Sequence, residues 1–475
     1  MAYPDWVEKH RAKGTNISCI RGKYYLYEAT SVWNKEKGRA QKKTGKYLGR
    51  ITEDGLIPPR KQQEKTPAVV TTKEYGASSI LCELGNEIHK KLKEKFPKEA
   101  DTIFSLAVLR VIERCPYKRA AFLYEKTFLS ETFGKLPMSG ASISGFLRVL
   151  GQDREKIVGF MKEFTNGTEK ILFDGTNIIT KSGNLEINRL GYNSHRQYDP
   201  QINLLYAFSA EKKLPIYYRI VSGNIKDVTS FSQAVIESGI SDMVVIADKG
   251  FGSEANFEML EANGLKYIVP LRRNNGLFIR DKMQVGNRDA FDGYFMFNGR
   301  VIWYYSYEVD EKKLVVYLDN DLKNEEEKDY IRRIEANNED YTHEGFLKKQ
   351  YDFGTIIFRT NLDTDAEKLY CLYKSRGEIE QSFDFLKNLL ELDIVYLQDK
   401  YAVEAWAFIN HISLMLTFLV YNLLRSKNQL SKYSVSDFLF HLKYIHKVKV
   451  NNLWLTSEIS GKTIKLLTSL DLHIT

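Results

Sequence analysis

The chain has 475 residues and a mass of 55.1 kDa, with 43% hydrophobic and 27% charged residues. This composition excludes a collagen-like chain, a coiled-coil rod and a wholly disordered chain. The net charge of +8 is concentrated near the N-terminus, because residues 1–75 hold 16 Lys and Arg residues against 8 Asp and Glu residues. Such an asymmetry indicates either a basic portion that contacts a polyanion such as nucleic acid, or a lysine-rich solvated surface.

Cysteine and histidine patterns do not favour a zinc site. The four cysteines are far apart, so no Cys-x-x-Cys pair occurs, and the eight histidines form no His-x-x-x-His pair. Sparse cysteines fit a reducing compartment. The most apolar stretch, 405–424, includes the polar residues Asn410, His411 and Ser413, which favours a buried helix of a soluble domain over a membrane span.

The first third of the chain divides into a β-rich and a helical portion. Residues 17–50 are rich in β-branched and aromatic residues and contain the basic run KEKGRAQKK, which predicts a small sheet with a basic hairpin tip. Residues 52–67 combine Gly, Pro and charges, as linkers do. We therefore predict a basic β-rich segment with a linker at 1–70, and at 71–166 a helical domain that we expect to bind DNA.

After residue 167 strands alternate with helices. Apolar strands are predicted at 170–174, 201–208, 214–221, 243–248 and 266–271, with helices near 229–238 and 253–263. The strands 201–208 and 214–221 are expected to be antiparallel neighbours. The alternation predicts an α/β fold in which part of the sheet is parallel.

Residues 274–352 break this rhythm. They hold β-like runs such as RVIWYYSYEV, then a charged stretch, with 17 acidic against 12 basic residues overall. We interpret them as a β-rich insertion into a catalytic α/β domain formed by 167–273 and 353–427. Within that domain we predict a long helix at 366–390 and an apolar helix near 405–425, followed by a C-terminal segment at 428–475.

Two aspartates end predicted strands. Asp174 and Asp248 follow apolar runs in the contexts FDGT and ADKGF. A carboxylate at the end of a buried strand faces the crevice where α/β sheets place ligands, and the adjacent glycine allows a close approach. Each aspartate alone is better explained as a residue that ends its strand and caps a turn.

The helix predicted at 366–390 carries a polar row. Tyr373, Arg376, Glu380 and Lys387 fall at roughly 0°, 300°, 340° and 320° at about 100° per residue. This row lies beside an apolar row at 372, 379, 383, 386 and 390, so it would edge a crevice. The alternative is a solvated face on which Arg376 and Glu380 form an ordinary i,i+4 pair.

Three carboxylates from two strands and a helix could bind two divalent cations about 4 Å apart. These cations would activate a water or a 3′-hydroxyl and stabilise the leaving oxygen of a phosphodiester. Arg376 and Lys387 would hold phosphates, and Tyr373 could bond to or stack on DNA. The sequence has no Gly-x-x-x-x-Gly-Lys loop, so ATP-coupled phosphoryl transfer is not indicated.

These residues resemble the DDE transposases of bacterial insertion sequences, in the insertion-sequence-four group marked by a Tyr-x2-Arg-x3-Glu-x6-Lys signature. The signature runs without a gap from Tyr373 to Lys387, and Asp-Gly-Thr and Asp-x-Gly-Phe begin at Asp174 and Asp248. Residues 191–208 and 222–227 also look like the linking segments of that family. The resemblance covers about 170–425 well and the N-terminal part more loosely.

The resemblance implies a ribonuclease-H-like core in which Asp174, Asp248 and Glu380 bind two Mg²⁺ ions, for which Mn²⁺ can substitute. It also implies a β-rich insertion between Asp248 and Glu380, which are 132 residues apart. In relatives this insertion can hold an aromatic residue that stacks on a flipped base. Trp303 is our candidate for that residue, beside the alternative of a buried structural tryptophan.

The resemblance further implies metal-dependent cleavage at transposon ends and strand transfer into target DNA, with hairpin formation as a plausible step. Tyr373, Arg376 and Lys387 would contact the transposon-end DNA, and Lys42 and Lys43 are our candidates for contacts in the basic hairpin. The implied partners are the double-stranded DNA of terminal inverted repeats and targets, bound by a homodimer in the bacterial cytoplasm at the nucleoid.

Two other functions stay open. One is a nuclease or domesticated recombinase that has the same site but performs no strand transfer. The other is a DNA-binding protein without catalysis, against which the presence of all three carboxylates argues.

Overall fold

The structure is a computed structural model, and it describes residues 3–34, 37–59, 70–114, 116–165, 171–183, 185–192, 198–223, 233–234, 237–238, 243–247, 249, 252–284, 287–336, 338–392 and 394–474. The chain forms two compact units, Met1–Val69 and Val70–Thr475. The finer domain boundaries within the second unit stay predictions. The helix predicted near 229–238 lies largely outside the described residues, and so does Asp248.

The first unit is a small antiparallel sheet in the order β1-β2-β3-β4. Its elements are α1 (Asp5–Glu8), β1 (Thr15–Ile20), β2 (Lys23–Asn34), β3 (Arg39–Thr52) and β4 (Gly55–Ile57). Four buried side chains form its core, namely Val7, Ile17, Leu26 and Ile51. The predicted small sheet with a basic hairpin is confirmed, and its core is small because alternate residues of only a few strands face inward.

The second unit begins with helices that follow the predicted helical portion. These are α2 (Gly76–Leu84), α3 (Asn86–Lys95), α4 (Ala100–Glu113), α5 (Ala120–Lys126), α6 (Leu129–Thr132), α7 (Gly140–Gln152) and α8 (Arg154–Lys162). The later helices are α9 (Glu254–Ala262), α10 (Asp281–Gln284), α11 (Asn320–Glu335), α12 (His343–Lys349), α13 (Ala366–Lys374), α14 (Arg376–Asp384), α15 (Lys400–Ser426), α16 (Val435–Lys443) and α17 (Gly461–Ser469). A π-helical segment, Phe385–Leu389, follows α14 directly.

Strands of the second unit form a large mixed sheet and a small one. They are β5 (Val70–Glu74), β6 (Ile171–Thr180), β7 (Arg189–Tyr192), β8 (Tyr198–Ser209), β9 (Leu214–Ser222), β10 (Met243–Ile246), β11 (Lys266–Pro270), β12 (Gly293–Phe297), β13 (Arg300–Val309), β14 (Lys312–Asp319), β15 (Thr355–Thr360), β16 (Ile394–Val395), β17 (His446–Val450) and β18 (Leu453–Thr456). The small sheet has the order β18-β17-β5.

The large sheet has eleven strands in the order β12-β13-β14-β15-β11-β10-β6-β8-β7, with β9 paired to β8 and β16 paired to β6. Strands β10 and β16 run parallel to β6, and β11 runs parallel to β10. Strand β8 runs antiparallel to β6 and to β9, as predicted for 201–208 and 214–221. The expected α/β fold with a partly parallel sheet is therefore confirmed.

The segment predicted as an insertion extends this same sheet. Strands β12 to β14 form an antiparallel meander, and β15 joins that meander to β11. The charged stretch after β14 forms the helix α11, of which only Tyr330 is buried. We call the stretch from the end of β11 to β15 the excursion. Its two ends lie side by side, because the backbone N–H of Leu271 donates to the carbonyl of Ile357 at 2.8 Å.

Helix α15 is the centre of the helical packing. It packs against α7, α4 and β9, and so joins the helical layer to the sheet. Two of its polar residues are paired inside the core, where Arg110 Nε donates to Asn410 Oδ1 at 3.2 Å and Ser413 Oγ donates to the carbonyl of Ala107 at 3.1 Å. By length and composition α15 could cross a membrane, yet 78% of its most apolar window is buried inside the protein. These contacts support the prediction of a core helix.

Candidate active site

Asp174 lies within a strand and not at its end. Strand β6 continues to Thr180 and stays paired with β8 across Asp174, which lies opposite Tyr206. The prediction that the strand ends at Asp174 is therefore wrong. The apolar run itself does end there, and among the described residues the parallel neighbour β10 pairs with β6 at 171–173.

The edge of β6 beside Asp174 is open to side chains from elsewhere. Among the described residues, β10 covers this edge before Asp174 and β16 covers it again from Ile179. Asp174 shares a face with Tyr206, whose ring lies 6.3 Å from the ring of Phe383 on α14. Asp174 therefore faces the side of the sheet on which α14 packs.

The contacts that hold the carboxylate of Asp174 include a backbone hydrogen bond and an ion pair. Its Oδ1 accepts a hydrogen bond from the backbone N–H of Gly175 at 2.8 Å. Its Oδ2 lies 3.5 Å from Nε of Arg376. The side chain is 22% exposed, so the carboxylate is held in place but reachable from solvent.

The helix predicted at 366–390 is three segments in succession. Helix α13 ends at Lys374, and Ser375 lies between it and α14, with its hydroxyl donating to the carbonyl of Leu372 at 2.6 Å. At the other end the backbone N–H of Leu390 donates to the carbonyl of Phe385 at 2.8 Å, an i→i+5 bond of the π-helical segment. The uniform 100° arithmetic for the polar row is therefore wrong at Lys387, since a π turn holds more residues.

The apolar row of that helix is confirmed. Ile379 and Leu390 are fully buried and Leu386 is nearly so, while Phe383 packs partly buried against the same core. Burial of these side chains turns the neighbouring edge of the helix, with Arg376 and Glu380, toward the open side of β6. A Cβ at Gly377 would meet nothing within 4 Å, so the helix surface beside Arg376 borders open space.

Arg376 joins the strand to the helix. Its Nη1 lies 3.4 Å from Oε1 of Glu380, and its Nε lies 3.5 Å from Oδ2 of Asp174. Partial burial alone would lower the pKa of Arg376, but the charges of Asp174 and Glu380 outweigh it and raise the pKa above its ordinary value. Two carboxylates more than two hundred residues apart in sequence therefore converge on one guanidinium.

The other two residues of the signature lie on either side of this group. Tyr373 is half-buried, with its ring centroid 4.4 Å from that of Phe358 on β15, and its hydroxyl also helps to raise the pKa of Arg376. Lys387 is half-buried within the π-helical segment. Contacts of both residues with DNA stay predictions.

Sequence reasoning did not single out two cations near the second aspartate motif. Lys249 directly follows Asp248, and partial burial together with the nearby charge of Arg273 lowers the pKa of Lys249. Arg273 itself donates to Glu326 Oε1 at 2.9 Å and to the carbonyl of Thr355 at 3.0 Å. Lys249 could have been identified from the sequence, because it lies inside the Asp-x-Gly-Phe motif. Arg273 could not, because it is distant in sequence and only the fold brings it near Lys249.

The remaining candidates lie elsewhere in the fold. Trp303 is on β13, five strands from β6, and packs with Arg288, Phe291 and Tyr294. The sheet therefore does not bring Trp303 next to Asp174. Lys42 and Lys43 are exposed on β3 of the first unit, as the prediction of a basic hairpin requires.

A divalent cation fits the donor set at Asp174 and Glu380. Among the described residues, no group of three or more His, Cys, Asp or Glu side chains is arranged to hold a metal, but Asp248 is not one of those residues. The carboxylate oxygens of Asp174 and Glu380 already lie within 4 Å of one shared positive charge. Carboxylate oxygen is the ligand that Mg²⁺ and Mn²⁺ prefer.

Comparison with known proteins found one matching family model and several matching solved structures. A family model described as the transposase DDE domain matches residues 165–416, just over half of the chain. Seven solved chains match, one of them in the cryo-EM structure of the piggyBac transposase synaptic complex with hairpin DNA. That chain is 12% identical, with 78% of this chain and 79% of that chain covered and a TM-score of 0.39. A search of the curated proteins found no match.

Proposed function

The chain belongs to the transposase DDE-domain family, and on that basis we propose that it cleaves phosphodiester bonds at transposon ends and transfers the ends to target DNA. One observation carries this proposal. Asp174 on a central strand and Glu380 on a helix converge on Arg376, at 3.5 Å and 3.4 Å. All three residues, and Asp248, lie within the matched range.

We propose that the core is ribonuclease-H-like. The support is a mixed sheet in which β6 is central, β8 is antiparallel to it and β10 is parallel to it. The helix that carries Glu380 packs on β6 and β8. The excursion from β11 to β15 adds strands at one edge and leaves the strand that carries Asp174 in place.

Asp174, Asp248 and Glu380 would hold Mg²⁺, with Mn²⁺ as a substitute. When bound in such a site, these cations polarise phosphodiester oxygens and lower the pKa of an attacking water or 3′-hydroxyl. The chain's own residues fix the geometry around that chemistry. The Gly175 N–H holds one oxygen of Asp174 in position, so the other oxygen points toward Arg376.

Arg376 would bind a phosphate of the DNA end. The neighbouring carboxylates raise its pKa, so it stays charged, and its planar fork suits two phosphate oxygens. Packing of Tyr373 on Phe358 holds the phenol beside this guanidinium. Tyr373 would thereby position Arg376 and contact the DNA end next to the cut.

The proposed partners are the duplex DNA of terminal inverted repeats and of targets, bound by a homodimer in the bacterial cytoplasm. The surplus of positive charge in residues 1–75 supports DNA as the partner. The dimer and the location rest on the sequence resemblance alone.

The test uses duplexes made from the DNA that flanks the coding sequence on both sides. Replacing Glu380 by Gln removes one charge, and we expect cleavage in Mg²⁺ to fall at least about 100-fold with DNA binding retained, since even outer groups around a metal give 10–100-fold losses. Glu367→Gln on the exposed face of α13 is the matched control and should cleave like the wild type. Cleavage by Glu380→Gln at the wild-type rate would overturn the assignment.

A second assay separates the transposase from a nuclease with the same site. Pre-cut ends with free 3′-hydroxyls are incubated with a target plasmid and Mg²⁺. A transposase joins the ends to the plasmid, whereas cleavage without any joining would favour the nuclease.

A further inference from the structure

Strands β2 and β3 extend beyond their sheet as a two-stranded ribbon. Strand β1 pairs with β2 only up to Glu28, while β2 and β3 continue through six more pairs, from Ala29↔Thr44 to Asn34↔Arg39. At about 3.4 Å per residue the ribbon is roughly 20 Å long. We call these two paired stretches, 29–34 and 39–44, the arm.

The arm has no hydrophobic core of its own. The buried residues of the unit, Val7, Ile17, Leu26 and Ile51, all lie in α1 or in the four-stranded part of the sheet. Most side chains of the arm are exposed. A two-stranded hairpin without such packing is marginally stable in water, so packing within the first unit does not explain the arm.

One face of the arm carries an exposed tryptophan. Side chains alternate along the regularly paired arm, so Trp33 lies on the face that also holds Ala29 and Ser31. Trp33 is 64% exposed, and its opposite residue across the ribbon is the small Ala40. An indole held away from any core on a β-ribbon is available to a partner.

The arm is also basic. Arg39 and Lys43 are exposed, and so is Lys46 just beyond the arm. Within the described part of the chain, none of these three has a carboxylate within ion-pair distance, whereas Lys42 donates to Asn16 Oδ1 at 3.0 Å. Positive charge without a carboxylate partner suits phosphates.

Local hydrogen bonds hold the end of the arm in shape. The side-chain amide of Asn34 donates to Gln41 Oε1 at 3.0 Å, and the backbone N–H of Lys37 donates to Asn34 Oδ1 at 3.2 Å. These bonds fix the backbone next to Trp33, so less conformational entropy is lost when the indole binds a partner.

We propose that the arm enters a groove of duplex DNA, with the indole of Trp33 on one face stacked on a base step, and with the long side chains of Arg39 and Lys43, which the pairing places on the other face, at the phosphates of the groove wall. A DNA groove admits a two-stranded ribbon, and apolar side chains that enter grooves can wedge between bases. The inference rests on the proposed function only in taking DNA as the partner. It adds Trp33 as a DNA-contacting residue far in sequence from the three carboxylates.

The test measures binding of the full-length chain to a labelled mixed-sequence duplex of about 30 base pairs, between about 50 and 200 mM salt. Replacing Trp33 by Ala should weaken binding about tenfold at every salt concentration, and Trp33→Phe should recover part of that loss because phenylalanine also stacks. Lys43→Gln should reduce the slope of log affinity against log salt by about one. Val32→Ala, 53% exposed on the opposite face, is the control and should bind like the wild type.

Three results would overturn the inference. These are wild-type binding by Trp33→Ala, equal losses in Trp33→Ala and Val32→Ala, and a loss that appears with single-stranded DNA but not with duplex. Circular dichroism spectra of the variants check that the fold is retained. Metal-dependent cleavage of flanking duplexes is measured separately. Cleavage without an effect of Trp33→Ala on binding would refute the inference about the arm alone, whereas absence of cleavage would refute the proposed function.

Discussion

The Nε atom of Arg376 lies 3.5 Å from Oδ2 of Asp174, so a residue at the start of a helix neutralises a carboxylate in the middle of the central strand. The same guanidinium lies 3.4 Å from Glu380. Without a bound cation, Arg376 supplies the positive charge that keeps two like-charged groups close together.

Replacing Arg376 by Gln should therefore make the site more dependent on a divalent cation. Without metal, repulsion between Asp174 and Glu380 should lower stability by about 1 kcal/mol or less, because Glu380 is 59% exposed. Added MnCl₂ should raise the melting temperature of this variant more than that of the wild type. Arg425→Gln removes the ion pair to Glu378 on the same helix and serves as the control. Equal Mn²⁺ responses in all three proteins would contradict this explanation.

Gly151 marks a close contact between α7 and the start of α15. A Cβ at Gly151 would lie 1.7 Å from the carbonyl oxygen of Tyr401, and backbone cannot move aside as a side chain can. Gly151→Ala should destabilise the protein by about 3 kcal/mol or more. A Cβ at Gly145 in the same helix would meet nothing within 4 Å, so Gly145→Ala should instead stabilise by about 0.5–1 kcal/mol. Melting temperatures check both, and a Gly151→Ala protein as stable as the wild type would show that the two helices can separate without cost.

Glu74 gives the protein a pH-dependent stability. Burial, with a smaller contribution from Glu113, raises its pKa to about 7, against the hydrogen bonds that it accepts from Ala77 and Ser78. A carboxyl whose folded pKa is above its unfolded value binds more protons when folded, so stability falls as pH rises from about 4.5 to about 7. Glu74→Gln cannot ionise, and it should melt a few degrees above the wild type at pH 8 but close to it at pH 5.

Two comparisons isolate the effect of Glu74. Burial lowers the pKa of His411 to about 3, so His411 contributes a dependence of opposite sign below about pH 6.5, but it does so in both proteins. The difference between variant and wild type therefore reports Glu74 alone. Glu83→Gln changes an exposed residue of α2, so its melting temperature should differ from that of the wild type by the same amount at pH 5 and at pH 8. A difference that stays constant from pH 5 to pH 8 would contradict the buried-carboxylate explanation.

Local patterns predicted the parts of the fold that depend on local sequence. The apolar row with Ile379 and Leu386 is buried as the helical period requires, and α15 is the core helix that its composition indicated. The convergence of Asp174 with Glu380 was expected from the sequence resemblance and not from spacing, because the two residues are distant along the chain.

The parts that were missed depend on partners that are distant in sequence. Strand β6 extends past Asp174 because β8 pairs with it as far as Ile179, and a polar continuation such as DGTN gives little strand signal. Strand β5 pairs with β17, near the other end of the chain, which no local pattern reveals. The π-helical segment at Phe385–Leu389 likewise carries no recognisable sequence mark.

The excursion between β11 and β15 begins and ends at one place in the sheet, since Leu271 and Ile357 are hydrogen-bonded neighbours. The chain could therefore lengthen, shorten or exchange this stretch during evolution without shifting β6 or α14. Recognition of new DNA could be acquired there while the positions of Asp174 and Glu380 stay the same. The outer part of the sheet is in this sense a replaceable attachment beside the strand and the helix that hold Asp174 and Glu380.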